Sequence, residues 1–534
     1  MIKSIQLLYA DTSKSLSFTH VHEHKIIIDD FAVQEASFTL KVEFNCNITF
    51  FRNHDYKWKE INHGGFSNWY SPKILKLDSG QLIQANQQVG IWEYQKKQTS
   101  VLLWHFNPYN SGPIVNYDAD NTKHIVQSNS DNVLTSLGFL LPKESALEVS
   151  RSKIPFSAIA CFTDHCDFDT LENLKEQRVF FRTHDIKLTK GFFLYHYSKR
   201  QEIASWEHNA DEFNAWVNDN HELAYHSLSQ SIKPIEDACE DVKNFEPPIE
   251  DIPTWIDHGF QPYNFTAYKN HDDIEPQYTR QMQEKGVRHF WNYLDSGTAA
   301  IGVINQVNPK HFTLGTYYNG IKHLGFKSVM SKLIKAICFH YYTDNQGLIL
   351  YRKIAKYVKT SKKRVSFDRH FKFVFNLVKL IALLAPVFLF WNRNKKKTYP
   401  LAKYTPLFFN HSIDGMPFKV FQTIEMIDFK MALGKANIDM LIAESGVFIA
   451  HTYFSAPMNY HQGKLFQDGI SIDKEVSACF KYISEMIASK RLWNPTFNEL
   501  VNYMGKLENV RFDSDADGTI TIENEDDFIF RAVR

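Results

Sequence analysis

The sequence predicts a mixed α/β protein: a distorted (β/α) barrel, with a β-rich domain ahead of it and a helical insertion within it. Three observations carry this expectation. Strand-like and helix-like stretches alternate from Ser157 onward. Several apolar strand-like runs end in His and Asp clusters. Before residue 150 only strand-like alternation occurs, broken by Gly, Asn, Asp and Pro. Alternation of strand and helix implies parallel pairing, whereas short alternating runs between turn residues imply antiparallel sheets.

The elements follow in order. Residues 1–150 contain SFTLKVEF from Ser37 and SVLLWHF from Ser100, which suit a sandwich-like β domain. Residues 151–334 form the first part of the barrel. SAIACFTDHCD reads as a buried strand ending in a polar cluster, followed by the helix-like TLENLKEQR. A strand from Gly191, a helix from Asp211 to Asp219 with Asn209 as N-cap, and the strand HELAYHS come next. Phe213, Trp216 and Val217 share one face of that helix. Residues 335–400 read as a basic and apolar helical insertion, and residues 401–505 as the second part of the barrel. There SGVFIAH reads as a strand, and Ile472 to Arg491 as a helix whose apolar face holds Val476, Phe480, Ile483 and Ile487. Residues 506–534 suit a C-terminal β-hairpin.

Composition narrows the function. Lys+Arg and Asp+Glu number 60 each, so the whole chain lacks the basic excess of a nucleic-acid binder. The six cysteines contain no CxxC pair and are widely spaced, which suits reduced thiols rather than a disulfide framework or zinc knuckle. Aromatic content of 15% can supply large cores and surfaces for stacking on sugar rings. The apolar run in MIKSIQLLYADTSKS is too short for a signal-peptide core, so the expected location is the cytoplasm.

Five polar clusters stand at strand ends. FTDHCDFDT places Asp164, His165, Asp167 and Asp169 within six residues, just past a buried strand. Active sites of α/β folds sit at such C-terminal strand ends, and this residue set suits a divalent metal with a base. The competing reading is a solvated loop that caps a helix. The second cluster is His226 in HELAYHSLSQS. The third, PTWIDHGFQPYN, gathers Trp255, Asp257, His258 and Tyr263 around a glycine. HFWNYLDSG supplies Trp291 and Asp295, and GVFIAHTYF supplies His451.

These five strand ends, in this order, resemble the five motifs of the polysaccharide deacetylase family, the NodB-homology type, with this chain a divergent match. The resemblance spans about residues 155–300 and 440–505. It implies a NodB-type barrel and a hydrolase that removes an N-acetyl group from an amino sugar in polysaccharide or glycoconjugate biosynthesis. It implies a divalent metal, zinc first, held by His226 with His165 or Asp167. Asp164 would be the general base, His451 the general acid, and Asp295 their acidic companion. Trp255, Asp257, Tyr263 and Trp291 would contact the carbohydrate. Two departures are visible. Gln230 stands where the second histidine of the second motif is expected, and the third motif lacks its Arg. His258 is placed to replace the missing ligand. The alternative is a degenerate barrel that binds carbohydrate or acts as a scaffold.

Three other patterns stand out in the sequence. His20, His22 and His24 alternate on a strand and suit a surface strand better than a metal site. Asp513, Asp515, Asp517 and Gly518 imitate a calcium loop, but Asn524 holds the twelfth position and β-like sequence flanks it. Phe371 to Trp391 is apolar but interrupted by Lys372, Lys379 and Pro386, with basic clusters on both sides. That pattern suits peripheral membrane contact through residues 365–398, or a helical hairpin covering the barrel.

Overall fold

The computed structural model describes residues 1–534 other than 10–11, 30–36, 130–135, 275–276, 361–366, 457–463 and 524–526. Asn524, Lys362, Lys363 and Arg364 therefore lie outside the described residues.

The chain begins with two antiparallel sheets. One runs through Thr12–Leu16, Ile2–Tyr9, Phe38–Phe44, Gln98–Phe106, Ile91–Gln95 and Gly65–Ser67. The other runs through Phe18–His22, Lys25–Ile28, Gly138–Leu140, Leu82–Ala85, Ile74–Leu77, Ile48–Arg52 and Trp58–Glu60. Alternation decides which faces meet. In Phe38–Phe44 every second residue is buried, and Leu40 and Val42 join Trp92 and Trp104 against Ile26, Ile83 and Phe139 of the second sheet.

Two features of this region escape the sequence. The hairpin Pro113–Tyr117 with Lys123–Gln127 leaves the sheets and reaches the barrel, where Tyr117 packs edge-on against Tyr293 at 5.7 Å. The C-terminal tail also divides. Phe512–Ser514 and Ile520–Ile522 form the expected hairpin, with Asp515 accepting from the Asp517 and Thr519 amides across its turn. The last strand, Phe530–Val533, returns to pair with Ala146–Val149. Of the three N-terminal histidines, His20 and His22 lie on Phe18–His22, while His24 falls in the turn after it and bonds the Leu141 carbonyl.

From Ala158 onward the chain closes a seven-stranded parallel barrel. In chain order its strands are Ala158–Asp164, Thr189–Phe192, Glu222–Tyr225, Thr254–Ile256, His289–Thr298, Met416–Glu425 and Val447–Thr452. Each pairs in parallel with the next, and the last pairs with the first, which closes the ring. Both faces of each strand are covered. The first strand is buried at all seven positions, as expected where helices cover one side and the lumen the other. The pleat sorts its residues. Ala158, Ala160 and Phe162 pack toward the helices, whereas Ile159 and Cys161 face the lumen with Ala224, Ile256, Trp291 and Ile449. Helix Phe497–Lys506 lends Phe497, Leu500 and Met504 to that inner cluster.

Several helices match their sequence signals. Thr170 caps Leu171–Thr183 by accepting from the Asn173 amide. The helix expected from Asp211 begins earlier, at Trp206, and Asn209 is its kink at φ −135° rather than its cap. Lys474–Ala488 buries Val476, Phe480 and Ile483, with Met486 in place of Ile487. The insertion between the fifth and sixth strands starts well before residue 335. Leu314–Ile321 and Phe326–Ala336 already belong to it, followed by a hairpin of Gln346–Thr360 and Phe367–Leu389.

Glu444 ties the seventh strand to the insertion. Its carboxylate accepts from Asn305 at 2.7 Å and Asn308 at 3.1 Å, and meets His311 at 3.3 Å. Burial pushes its pKa up, but His311 and the two amides outweigh this and hold it down at about 2. A depressed carboxylate stabilises the fold above its unfolded pKa, near 4.5, and that stability is lost as pH falls toward about 2. Partial exposure discounts the effect to roughly 2 kcal/mol. Urea denaturation across that acid window is expected to show a shallower pH dependence in Glu444→Gln than in wild type; equal slopes would remove Glu444 from the account.

Candidate metal centre

The C-terminal ends of the barrel strands converge on a cluster of imidazoles and carboxylates. His165 follows the first strand, His226 the third and His258 the fourth, while Asp295 and His451 lie on the fifth and seventh. Pleat phase explains which residues meet. His165, His226 and His451 continue the lumen-facing series of Ile159 and Cys161, Ala224, and Ile449.

Three donors form a tight group. His226 Nε2 lies 3.0 Å from Asp167 Oδ2, His258 Nδ1 lies 3.1 Å from Asp167 Oδ1, and the two ring nitrogens are 3.0 Å apart. In a tetrahedral zinc site, bonds of about 2.0–2.1 Å set donors roughly 3.3 Å from one another. The two ring nitrogens and the two oxygens of one carboxylate therefore stand at spacings close to those of ligands on one ion. The outer nitrogens are fixed, as second partners of metal-binding histidines usually are. His258 Nε2 bonds the Gln230 carbonyl at 2.9 Å, and His226 Nδ1 faces the Ile256 carbonyl at 3.3 Å. The ligand atoms of His165, Asp167 and His226 also all lie within 4.8 Å of one another, and this set could hold a metal ion. His165 Nε2 is buried without a hydrogen-bond partner, which is what a site built for a ligand leaves behind.

Charge in this group is polarised. Burial raises the Asp167 pKa, but His258 and His226 overcome it and hold the carboxyl well below its usual range. Burial lowers His226 and His165, and the neighbouring imidazoles push His165 down further.

Beside the cluster stands a dyad. His451 Nδ1 lies 3.1 Å from Asp295 Oδ1, and the Thr423 hydroxyl donates to the same oxygen at 2.7 Å. Burial opposes charge on His451, but Asp295 outweighs it and the pKa is raised. His451 Nε2 is buried and unpartnered. Its ring stacks on His165 with centroids 4.0 Å apart, and Trp291 abuts both rings edge-on at 4.8 Å. The fifth strand is irregular between Trp291 and Gly297, and Tyr293 takes a φ of +59° there. Backbone strain of this kind gathers at functional sites.

No family model, curated protein or solved structure matches this chain.

All four residues expected to hold metal, His165, Asp167, His226 and His258, therefore come together, and His451 meets Asp295. Other assignments are corrected. Asp164 shares the outer face of its strand with Ala160 and Phe162, so it points at the helix layer rather than the lumen. There it pairs with the buried Lys190, which also bonds Asp169 at 2.5 Å and Gln177 at 2.8 Å. Its other oxygen accepts from the Thr452 hydroxyl at 2.9 Å and the Phe454 amide at 3.1 Å. Both carboxylate oxygens are engaged, so Asp164 is an anchor here and not a free base.

Trp255 lies on the outer face of its strand and is fully buried in the helix-side core, as is Tyr263. Asp257 accepts from Trp255 Nε1, the Phe265 and Thr266 amides and the Thr266 hydroxyl, which makes it the anchor of its loop. Of the four residues assigned to carbohydrate, only Trp291 stands beside the histidines. Lys190 and Thr423 escaped the sequence reading. A lysine inside an apolar strand was the available signal for Lys190, since a buried ammonium requires carboxylate partners.

Proposed function

We propose that the chain is a metal-dependent hydrolase that removes an N-acetyl group from an amino sugar in polysaccharide or glycoconjugate assembly. The observation that carries this reading is the tight donor group of Asp167, His226 and His258, set 3.0–3.1 Å apart beside the His451–Asp295 dyad. The motif order that resembles polysaccharide deacetylases supplies the substrate class. Two imidazoles and a carboxylate suit zinc, and other divalent ions also accept that set. When bound, the ion would supply a Lewis acid beside the acyl carbonyl and make a neighbouring water more acidic.

The protein groups divide the proton transfers by environment. A pair of titratable groups with opposed shifts is the usual mark of an acid and a base. His451 is biased toward imidazolium by Asp295, so it donates from Nε2 to the leaving nitrogen. His165 is held neutral by burial and its Nε2 is unpartnered, so, with Asp164 engaged elsewhere, it is the imidazole placed to receive the water proton. Trp291, buried beside both imidazoles, forms an apolar wall of the site.

Two variants test the division. His451→Ala is expected to keep its metal and lose about 10²–10⁴-fold in kcat, the usual weight of a general acid. His165→Asn is expected to keep its metal and lose turnover; metal loss in that variant would make His165 a ligand instead. The whole reading is tested by acetate release from N-acetylated oligosaccharides by the zinc-loaded chain. A chain that carries metal yet releases no acetate from any N-acetylated sugar would overturn it. A chain that takes no metal but binds sugar would favour a carbohydrate-binding barrel.

A further inference from the structure

The hairpin inserted between the fifth and sixth barrel strands has an apolar face that the protein does not cover. Helix Phe367–Leu389 buries one narrow stripe, Leu380, Leu384 and Val387, in the barrel-side core. Its opposite stripe, Phe371, Val374, Phe375, Val378 and Ile381, is exposed, with Phe371 at 65% and Val378 at 58%. These positions recur every three to four residues, so they form one continuous band along the helix. Leu389 and Phe390 extend the band at 78% and 65% exposure. Soluble chains rarely leave such a strip uncovered.

Charge identifies the occupant. Residues 367–398 contain seven Lys and Arg and one acid, Asp368, in a chain whose total charge is zero. The exposed Arg393, Lys396 and Lys397 collect just beyond the apolar band. An apolar stripe collared by lysines is complementary to an anionic bilayer surface, whose headgroups pair with the collar while the acyl boundary takes the stripe. We propose that this hairpin docks the protein onto an anionic lipid bilayer, with the helix lying in the plane of the interface. Asp368–Leu389 is long and apolar enough to cross a membrane. Its buried stripe and the bond from the Tyr342 hydroxyl to the Leu383 carbonyl hold it against the protein instead.

The hairpin is also tied to the C-terminal strand ends of the barrel. The segment leading into the hairpin bonds the strand ends, with Lys335 3.2 Å from Glu425 and His340 Nε2 3.4 Å from the Thr298 hydroxyl. A cavity of about 170 Å³ has Trp291, Asp295 and Glu425 in its wall together with Leu348 and Arg352 of the hairpin. The first helix of the hairpin, Gln346–Thr360, thus shares a cavity wall with the strand ends that carry Trp291 and Asp295. The docking surface stands independently of the hydrolase reading.

The test is sedimentation of the full chain with vesicles of phosphatidylcholine alone and of phosphatidylcholine mixed with phosphatidylglycerol. Binding is expected to the mixed vesicles only, weakened by salt. Phe375→Ser with Val378→Ser and Ile381→Ser, all exposed positions, is expected to weaken it about tenfold or more. Lys396→Glu with Lys397→Glu is expected to have an effect of similar size. Circular dichroism checks that both variants fold. Wild type that stays in the supernatant with both vesicles would overturn the proposal, as would variants that bind as wild type does. Loss of a self-associated dimer in the triple variant, without vesicle binding by wild type, assigns the face to a second copy. Resistance to alkaline carbonate extraction replaces in-plane docking with a spanning helix.

Discussion

His226→Ala is expected to strip the metal from the protein and abolish turnover. His226 Nε2 is within 3.0 Å of both Asp167 and His258, so it sits at the centre of the donor group. Purified wild type supplied with zinc is expected to carry about one equivalent, as a single site of this donor number would. His226→Ala and Asp167→Ala should each fall close to zero. Binding to the folded state alone also stabilises it, so zinc should raise the Tm of wild type and leave these variants unmoved. His226→Gln guards against a packing artefact, because it preserves more of the side-chain volume in this buried position. Metal retained at full stoichiometry in both His226 variants would rule out the tripod.

Lys190→Met should cause a large loss of stability. Lys190 is fully buried between Asp164 and Asp169, which are themselves 0% and 2% exposed. Burial works against its charge, yet the two carboxylates more than offset this and its pKa is raised. Removal of the ammonium leaves two buried carboxylates without a counter-charge. Breaking a buried pair in this way costs about 3–5 kcal/mol. The penalty has a pH signature. Burial already raises the Asp164 pKa to about 6 against the pull of Lys190, so without the ammonium the variant's stability is present at low pH and lost as pH rises through the folded pKa. The deficit should therefore be larger at about pH 8 than at about pH 5. Urea denaturation at both values measures it. Asp164→Asn together with Lys190→Met should recover part of the loss. A deficit below about 1 kcal/mol would mean that the triad is not the anchor described.

The triad also indicates how the site is held. Asp164, Lys190, Asp169 and Gln177 lie directly behind the strand end that presents His165 and Asp167. Asp164 reaches the seventh strand through the Thr452 hydroxyl, one residue beyond His451. The same network thus fixes both the histidine cluster and the dyad from the outer side of the barrel. Asp164 matters here as a positioning residue, and its removal should affect stability as well as turnover.

Local sequence determined a good deal of this protein. Alternation in Phe38–Phe44 decided the β domain, the change to strand–helix alternation after Ser157 decided the barrel, and the short distance from buried strand to polar cluster decided where the histidines lie. Those signals are local in the chain, so they survive without knowledge of neighbours. The meeting of His258 with His226 was also legible, because both positions fall in strand-end motifs. Pleat phase was not legible. In a parallel barrel both strand faces are apolar, so Ala158–Asp164 carries no alternation to tell lumen from helix side. That single ambiguity put Asp164, Trp255 and Asp257 in the site when the fold turns them outward. Long-range pairing was equally hidden. Lys190 meets Asp164 across 26 residues, Phe530–Val533 returns to Ala146–Val149, and the hairpin at 113–127 reaches Tyr293 only once the barrel has closed. Such contacts are set by how strands stack in space, and only the tertiary structure decided them.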